Sequence, residues 1–318
     1  MDKTANSQHC SGIGGQAVLE GVMMKNGERY AVAVRKEDGT IVLKEDRFRG
    51  LLAGTPVRKI PVLRGFFVLI DSLTLGLRVT DYSASMYDPD EETDPDSPKE
   101  KLFTGLLLVA SMVIAVALFI LLPYWVASFL NARLGGGNLL VVFEGILRVT
   151  IFLIYISAIS AMKDIRRLYQ YHGAEHKCIN CLENGLPLTV ENARKSTRLH
   201  RRCGSSFTIL VMLVSIVLFF FIRTDSHIMR VVLRILLIPV ISGISYELIQ
   251  LAGRTDNPFV RLISAPGMWM QLMTTKEPDD DMIRVGMASV EAVFEWRTYL
   301  EQEFGYTPES LRPDSAAP

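Results

Sequence analysis

The sequence predicts a mainly α-helical, polytopic membrane protein, with four transmembrane helices and a small N-terminal cytosolic domain containing a β-hairpin. Three observations predict it. Hydrophobic residues make up 49% of the 318 positions and gather in a few long blocks. The connections between those blocks differ sharply in positive charge. Ahead of them, two alternating apolar runs flank Asp38-Gly39 in "RYAVAVRKEDGTIVLKEDRF", which is a hairpin signal.

Taken in order, residues 1–87 form the N-terminal domain. Its glycine-rich start, "GIGGQAVLEGVMM", lacks the Lys-Ser/Thr of a phosphate-binding loop and reads as a tight turn into a strand. "IPVLRGFFVLIDSLTLGLRV", Ile60 to Val79, is apolar but interrupted by Arg64, Asp71 and Arg78. It reads as an amphipathic helix on the cytoplasmic surface or docked against the bundle. Residues 88–101 are an acidic, proline-containing linker that should be disordered.

The membrane domain spans residues 102–252. Leu102–Leu130, Leu139–Met162, Ser206–Ile222 and Val231–Ala252 approach or exceed the roughly 20 residues that cross a bilayer as helix. "LFTGLLLVASMVIAVALFILLPYWVASFL" has no polar face, so a buried core helix is the poorer reading. Glu144 and Arg148, four apart on the second span, should pair with each other, and Arg234 should snorkel outward. Residues 253–318 form a cytosolic C-terminal segment, with "SVEAVFEWRTYLEQEF" as one amphipathic helix and "TPESLRPDSAAP" as a loose tail.

The segment between the second and third spans carries Lys163, Arg166, Arg167, Lys177, Arg194, Lys195, Arg198, Arg201 and Arg202. The positive-inside rule places it in the cytoplasm, and both termini with it. All four cysteines then face a reducing compartment, where disulfides are disfavoured and metal binding stays open. With 34 basic and 34 acidic residues, the chain gives no nucleic-acid signal. No secretory signal, transit peptide or internal repeat is visible.

The same basic loop, residues 163–205, holds His172, His176 and His200 of the five histidines and Cys178, Cys181 and Cys203 of the four cysteines. Histidine and cysteine are the leading transition-metal ligands. His172-x-x-Glu175-His176 has the inverted zinc-hydrolase spacing. If the second span continues as helix through "MKDIRRLYQY", the two histidines share a face and can share a metal. Glu175 beside them can then take a proton from the attacking water. Gly173 weakens that helix by about 1 kcal/mol. A rival arrangement sets Cys178-x-x-Cys181 against His200-x-x-Cys203 as a closed structural zinc site. A third takes the loop as a basic surface for lipid headgroups. Glu247, near the cytoplasmic end of the fourth span, can reach the metal or pair with an arginine.

Several stretches together resemble one family: "GGQAVLEGVMM", "HGAEHK", "ENA", "RCGSSF", "SYE", "AP" and "TTKEP". The ordered set, over about residues 10 to 295, is similar to the YqhQ family of bacterial membrane proteins, catalogued as predicted metal-dependent enzymes. That resemblance implies a bacterial multi-pass inner-membrane protein. It supports His172, Glu175, His176, His200, Cys203 and Glu247 as functional residues and adds Glu20 and Glu191. The family pattern has threonine where this chain has Cys178, and the cysteine pair is not typical, which weakens the structural-zinc arrangement. The expectation is a hydrolase using a divalent metal, zinc foremost, on a lipid-linked or membrane-embedded substrate. His172 and His176 would hold the ion, His200 or Glu247 would complete its shell, and Glu175 would be the base, with Cys203 a further candidate ligand. The alternative is a membrane scaffold or assembly factor that docks a partner membrane protein.

Overall fold

The computed structural model describes residues 9–87, 97–134, 137–222, 226–254 and 257–311. Four strands, β1 (Gly14–Val18), β2 (Gly21–Asn26), β3 (Arg29–Arg35) and β4 (Ile41–Arg47), form an antiparallel meander in sequence order. The predicted hairpin is β3–β4, joined around Asp38-Gly39. The glycine-rich start adds the other two strands.

Strand alternation explains what covers the sheet. Val22, Met24, Ala31 and Ala33 point into one core, and Met23, Tyr30, Val32 and Val34 into another. The second core is closed by Leu75 and Val79 of α1 (Leu63–Tyr87). That helix is the expected amphipathic one, and it also packs on α9 (Ile238–Arg254) beside Gly243 and Tyr246. The first core is closed by α5 (Lys163–Glu183) and α11 (Asp280–Val293), with Tyr171, Ile179, Leu182 and Ile283 fully buried.

Among the described residues, three stretches are long and apolar enough to cross a membrane: Leu102–Leu130, Leu139–Ile159 and Gly204–Phe221. The first joins α2 (Pro98–Val116) to α3 (Leu122–Leu134) through a π-helical turn at Ala117–Leu121. Pro123 lies just beyond, and the wide turn absorbs its missing N–H and its clash with the preceding turn. The others are α4 (Gly137–Ile159) and α7 (Gly204–Phe221).

Several expectations are corrected here. The fourth predicted span is two helices, α8 (His227–Leu236) and α9, separated at Leu237 because Pro239 cannot continue the hydrogen-bond ladder. Helix α4 stops at Ile159, and α5 begins afresh after the extended Met162, so no single helix runs from the span into the histidines. Residues 163–205 are largely α5 and α6 (Val190–Lys195) rather than an open loop. The single C-terminal helix is divided into α11 and α12 (Trp296–Phe304) by the extended Phe294. In the acidic linker, 88–96 lie outside the described residues, whereas Pro98 already opens α2. Of the expected loose tail, 312–318 also lie outside, and Leu311 is buried. Arg234 does not snorkel: with Arg148 it binds Glu144, at 2.8 and 2.9 Å.

Candidate metal centre

Each residue of an α-helix turns the chain by about 100°. Along α5, His172 and His176 therefore share a side, while Cys178 and Cys181 fall on the opposite one. The structure follows this arithmetic. Cys178 packs into the apolar core against Gly286 and the Ile283 carbonyl, and Cys181 donates to the carbonyls of Leu186 and Pro187. Burial pushes both thiols up, that of Cys181 to about 11. The two cysteine-containing pairs do not converge, so the four-residue structural site is not assembled.

Among the described residues, His172, His176 and Cys203 do converge, with their ligand atoms all within 4.8 Å of one another. His172 Nε2 lies 3.1 Å from Cys203 Sγ, and the two imidazole centroids are 4.4 Å apart. Zinc–nitrogen and zinc–sulfur bonds of about 2.0 and 2.3 Å at tetrahedral angles separate ligand atoms by roughly 3.5 Å, close to this spacing. Cys203 is placed by its role as N-cap of α7, where its sulfur accepts from the Ser205 N–H.

Both histidines are oriented by backbone carbonyls. His172 Nδ1 lies 2.9 Å from the Thr274 oxygen, and His176 Nδ1 lies 2.6 Å from the Arg198 oxygen. A carbonyl only accepts, so each Nδ1 carries the hydrogen and each Nε2 is turned toward the cysteine. This outer-shell bonding is what fixes ligand histidines in metal sites. Among the described residues, His176 Nε2 is buried with no hydrogen-bond partner, a cost that a ligand would remove. Without an ion, burial would lower the proton affinity of His172, but the Cys203 thiolate outweighs it and pushes the imidazole up to about 9. In the same way burial would raise the Cys203 thiol, but the two histidines hold it well below its usual value. A proton is thus shared where a cation would sit, and the donor set suits one.

The helix carrying these groups is shaped by close approaches. Helix α10 (Pro258–Thr274) leads into residues 275–278, which cross α5 at Gly173. A β-carbon there would overlap the Lys276 carbonyl oxygen. The approach lets Lys276 N–H reach the Tyr169 carbonyl at 2.8 Å and brings the Thr274 carbonyl to His172. The helix-weakening glycine therefore makes room for the segment that orients the first ligand.

Glu175 is almost fully buried and lies against Gly15 of β1, where a β-carbon would stand 2.8 Å from its carboxyl. It makes no hydrogen bond to a described residue. Burial raises its proton affinity, and the charges of His172 and His176 oppose that. A carboxyl buried one helical position from a ligand histidine, with imidazole charge set against its burial, can act as a base.

The remaining sequence candidates are placed elsewhere. His200 stacks behind His176 at 5.7 Å between centroids, but its Nε2 is engaged by Glu183 at 3.2 Å. Glu247 is held by Arg64, whose Nε lies 2.6 Å from its carboxylate, so it leads away from the cluster. Glu20 occupies the β1–β2 turn at a left-handed φ of 50° and takes Arg167 and the Tyr171 hydroxyl, fastening α5 to the sheet. Glu191 is exposed on α6 and pairs with Lys195.

Two contributing residues were missed. Glu183 shares the histidine face of α5, seven positions beyond His176, a periodicity the sequence carries. Besides His200 it binds Arg202 and the N–H and hydroxyl of Ser11. Gln271, a lone amide in "MWMQLM", bonds both backbone groups of His200 at 2.8 Å and the Ser206 hydroxyl at 2.7 Å. Its polarity within an apolar helix was the available signal.

Residues 60–296 match the family described as "Protein of unknown function (DUF1385)". The chain is similar to the Bacillus subtilis (strain 168) "Uncharacterized protein YqhQ", 36% identical over 304 residues that cover 91% of this chain and 94% of that one. No solved structure matches the chain significantly.

Proposed function

Because the chain belongs to the DUF1385 family, whose description names no reaction, we propose from the site itself that it is a metal-dependent hydrolase of the bacterial inner membrane. Its substrate is lipid-linked or membrane-embedded. The observation that carries this is the convergence of two carbonyl-oriented Nε2 atoms and one thiolate sulfur, with His176 Nε2 otherwise unpartnered among the described residues. Among the described residues three would hold the ion, the number of protein ligands that catalytic rather than structural zinc sites use.

His172, His176 and Cys203 hold the divalent ion, zinc foremost by their mixed nitrogen and sulfur donors. When bound, it supplies Lewis acidity toward a carbonyl or phosphoryl oxygen and lowers the pKa of water to about 7. Glu175 takes the proton of the attacking water and returns it to the leaving group, a role worth about 10²–10⁴ in rate. The Thr274 and Arg198 carbonyls hold the two histidines in place, and Glu183 and Gln271 fix His200, which packs behind His176.

Chain parity supports four crossings with both termini cytoplasmic. The sheet packs on α5, so α2–α3 and α4 must lead out and back. The α10 terminus and α11 also pack on α5, so α7 out requires α8–α9 to return together, broken at Leu237. The basic segment around α5 then faces the cytoplasm. The partners are the lipid bilayer and a lipid-linked substrate; nucleic acid is not among them.

The test is Glu175→Gln in the full chain. The variant should fold, reach the membrane and keep its metal, yet fail to restore the phenotype of a deletion strain. Full complementation at native expression would remove Glu175 as the base. The second reading, a scaffold or assembly factor with a structural metal that docks a partner membrane protein, draws on the near-complete burial of His176 and Glu175. It expects complementation whenever fold and metal persist.

A further inference from the structure

Helix α10 has two faces. Val260, Gly267, Met270, Gln271 and Thr274 are buried, those nearest the C-terminal end against α7, and Phe259, Leu262, Trp269 and Leu272 stand exposed on the other side. The exposed residues recur at helical spacing and so form one stripe. Trp269, 68% exposed, sits beside the first turns of α7, where Gly267 and Gln271 meet Ser206. In the proposed orientation this is the cytoplasmic membrane interface, where tryptophan concentrates.

Between that stripe, the end of α9 and the segment before Cys203 lies a cavity of about 230 Å³. Arg201 and Arg261 line it together with Ala252, Val260, Met268 and Trp269. Both arginines have other contacts. A guanidinium carries five N–H donors and can serve more than one acceptor at a time. The apolar remainder suits acyl chain, and Arg with Trp at an interface is a pairing that receives a phosphate head over a lipid body. The cavity is also close to the metal ligands. Arg201 precedes Cys203 by two residues, and Met268 is roughly 9 Å along α10 from Thr274.

We propose that this cavity binds the phosphate of an amphiphile whose chains lie along the α10 stripe, and that lipid phosphates are the substrate class of the neighbouring site. The substrate assignment rests on the hydrolase reading, whereas the binding site stands without it.

The experiment is thermal unfolding of the detergent-purified full chain, titrated separately with dihexanoyl phosphatidate, dihexanoyl phosphatidylcholine and inorganic phosphate. Ligands that bind the folded state raise the unfolding midpoint. Phosphatidate should do so at the lowest concentration and phosphatidylcholine at a higher one, while inorganic phosphate should have little effect. Arg201→Gln with Arg261→Gln should weaken the phosphatidate response about tenfold or more. Arg201→Lys with Arg261→Lys should retain part of it and controls for folding. Trp269→Ala should weaken both lipids alike. His172→Ala should leave the response intact, which separates this site from the metal centre. No response to phosphatidate, or a response undiminished in the folded double glutamine variant, would overturn the proposal. An equal response to inorganic phosphate would overturn the lipid as its source.

Discussion

The body around the sheet and the long apolar helices hide opposite kinds of residue. In the body, Val22, Ala31, Ala33, Ile283 and Leu300 have no exposed surface and Lys36, Glu37, Lys44 and Glu45 stand outside, the buried charges Glu20, Glu175, Lys177 and Glu183 being gathered on α5 or fastened to it. Among the apolar helices, Leu106, Val109, Met112 and Ile114 face outward while Glu144, Arg148 and Ser215 are buried. The same residue types are sorted by two different solvents. The difference also locates the candidate metal centre at the seam, with His172 and His176 on a helix of the body and Cys203 at the first turn of an apolar one.

The contrast can be broken most severely at Glu144. Removing it as Glu144→Ala leaves Arg148 and Arg234 buried without their carboxylate, which costs about 3–5 kcal/mol. The variant should run as aggregate on size exclusion in mild detergent, and wild-type behaviour would mean that the charges are not enclosed. Next comes a matched pair of truncations. Ile283→Ala should cost about 2–5 kcal/mol, because it opens a cavity in the body's core. Leu106→Ala should change the unfolding midpoint little, since lipid replaces the lost contacts. Equal costs would dissolve the two-solvent picture. Between them lies Gly173→Ala, expected to cost about 1–3 kcal/mol by forcing the 275–278 segment off α5. It should weaken metal binding as well, because the Thr274 carbonyl moves with that segment.

A smaller effect, readable only by labelling, sharpens the topology. A cysteine at Ser226 should react with an impermeant maleimide added to intact cells, and one at the exposed Asn184 should not. Labelling at Asn184 would invert the orientation.

What was legible in the sequence was local. Three of the spans are read from apolar length alone, and the Asp38-Gly39 hairpin and the helical His172-x-x-Glu175-His176 pattern from periods of 2 and 3.6 that neighbouring residues carry themselves. The helix boundary at Met162 was missed because backbone stops need no strong residue signal there. The break before Pro239 had one, and the apolar run masked it. Which distant residues would join the histidines was not local at all. Glu247 and His200 were reasonable ligands by position, yet Arg64 and Glu183 engage them, and those pairings arise only when α1 meets α9 and α5 meets the segment before α7. Cys178 and Cys181 were separable from the site once α5 was known to be helical, since rotation alone puts them in the core.

Elemental analysis of the purified full chain asks whether His172, His176 and Cys203 hold a metal. About one zinc per chain is expected, lowered at least about tenfold in His172→Ala, His176→Ala and Cys203→Ala. Cys178→Ala with Cys181→Ala should stay at the wild-type value. Metal lost from the Cys178/Cys181 variant but retained without His172 or His176 would contradict that assignment.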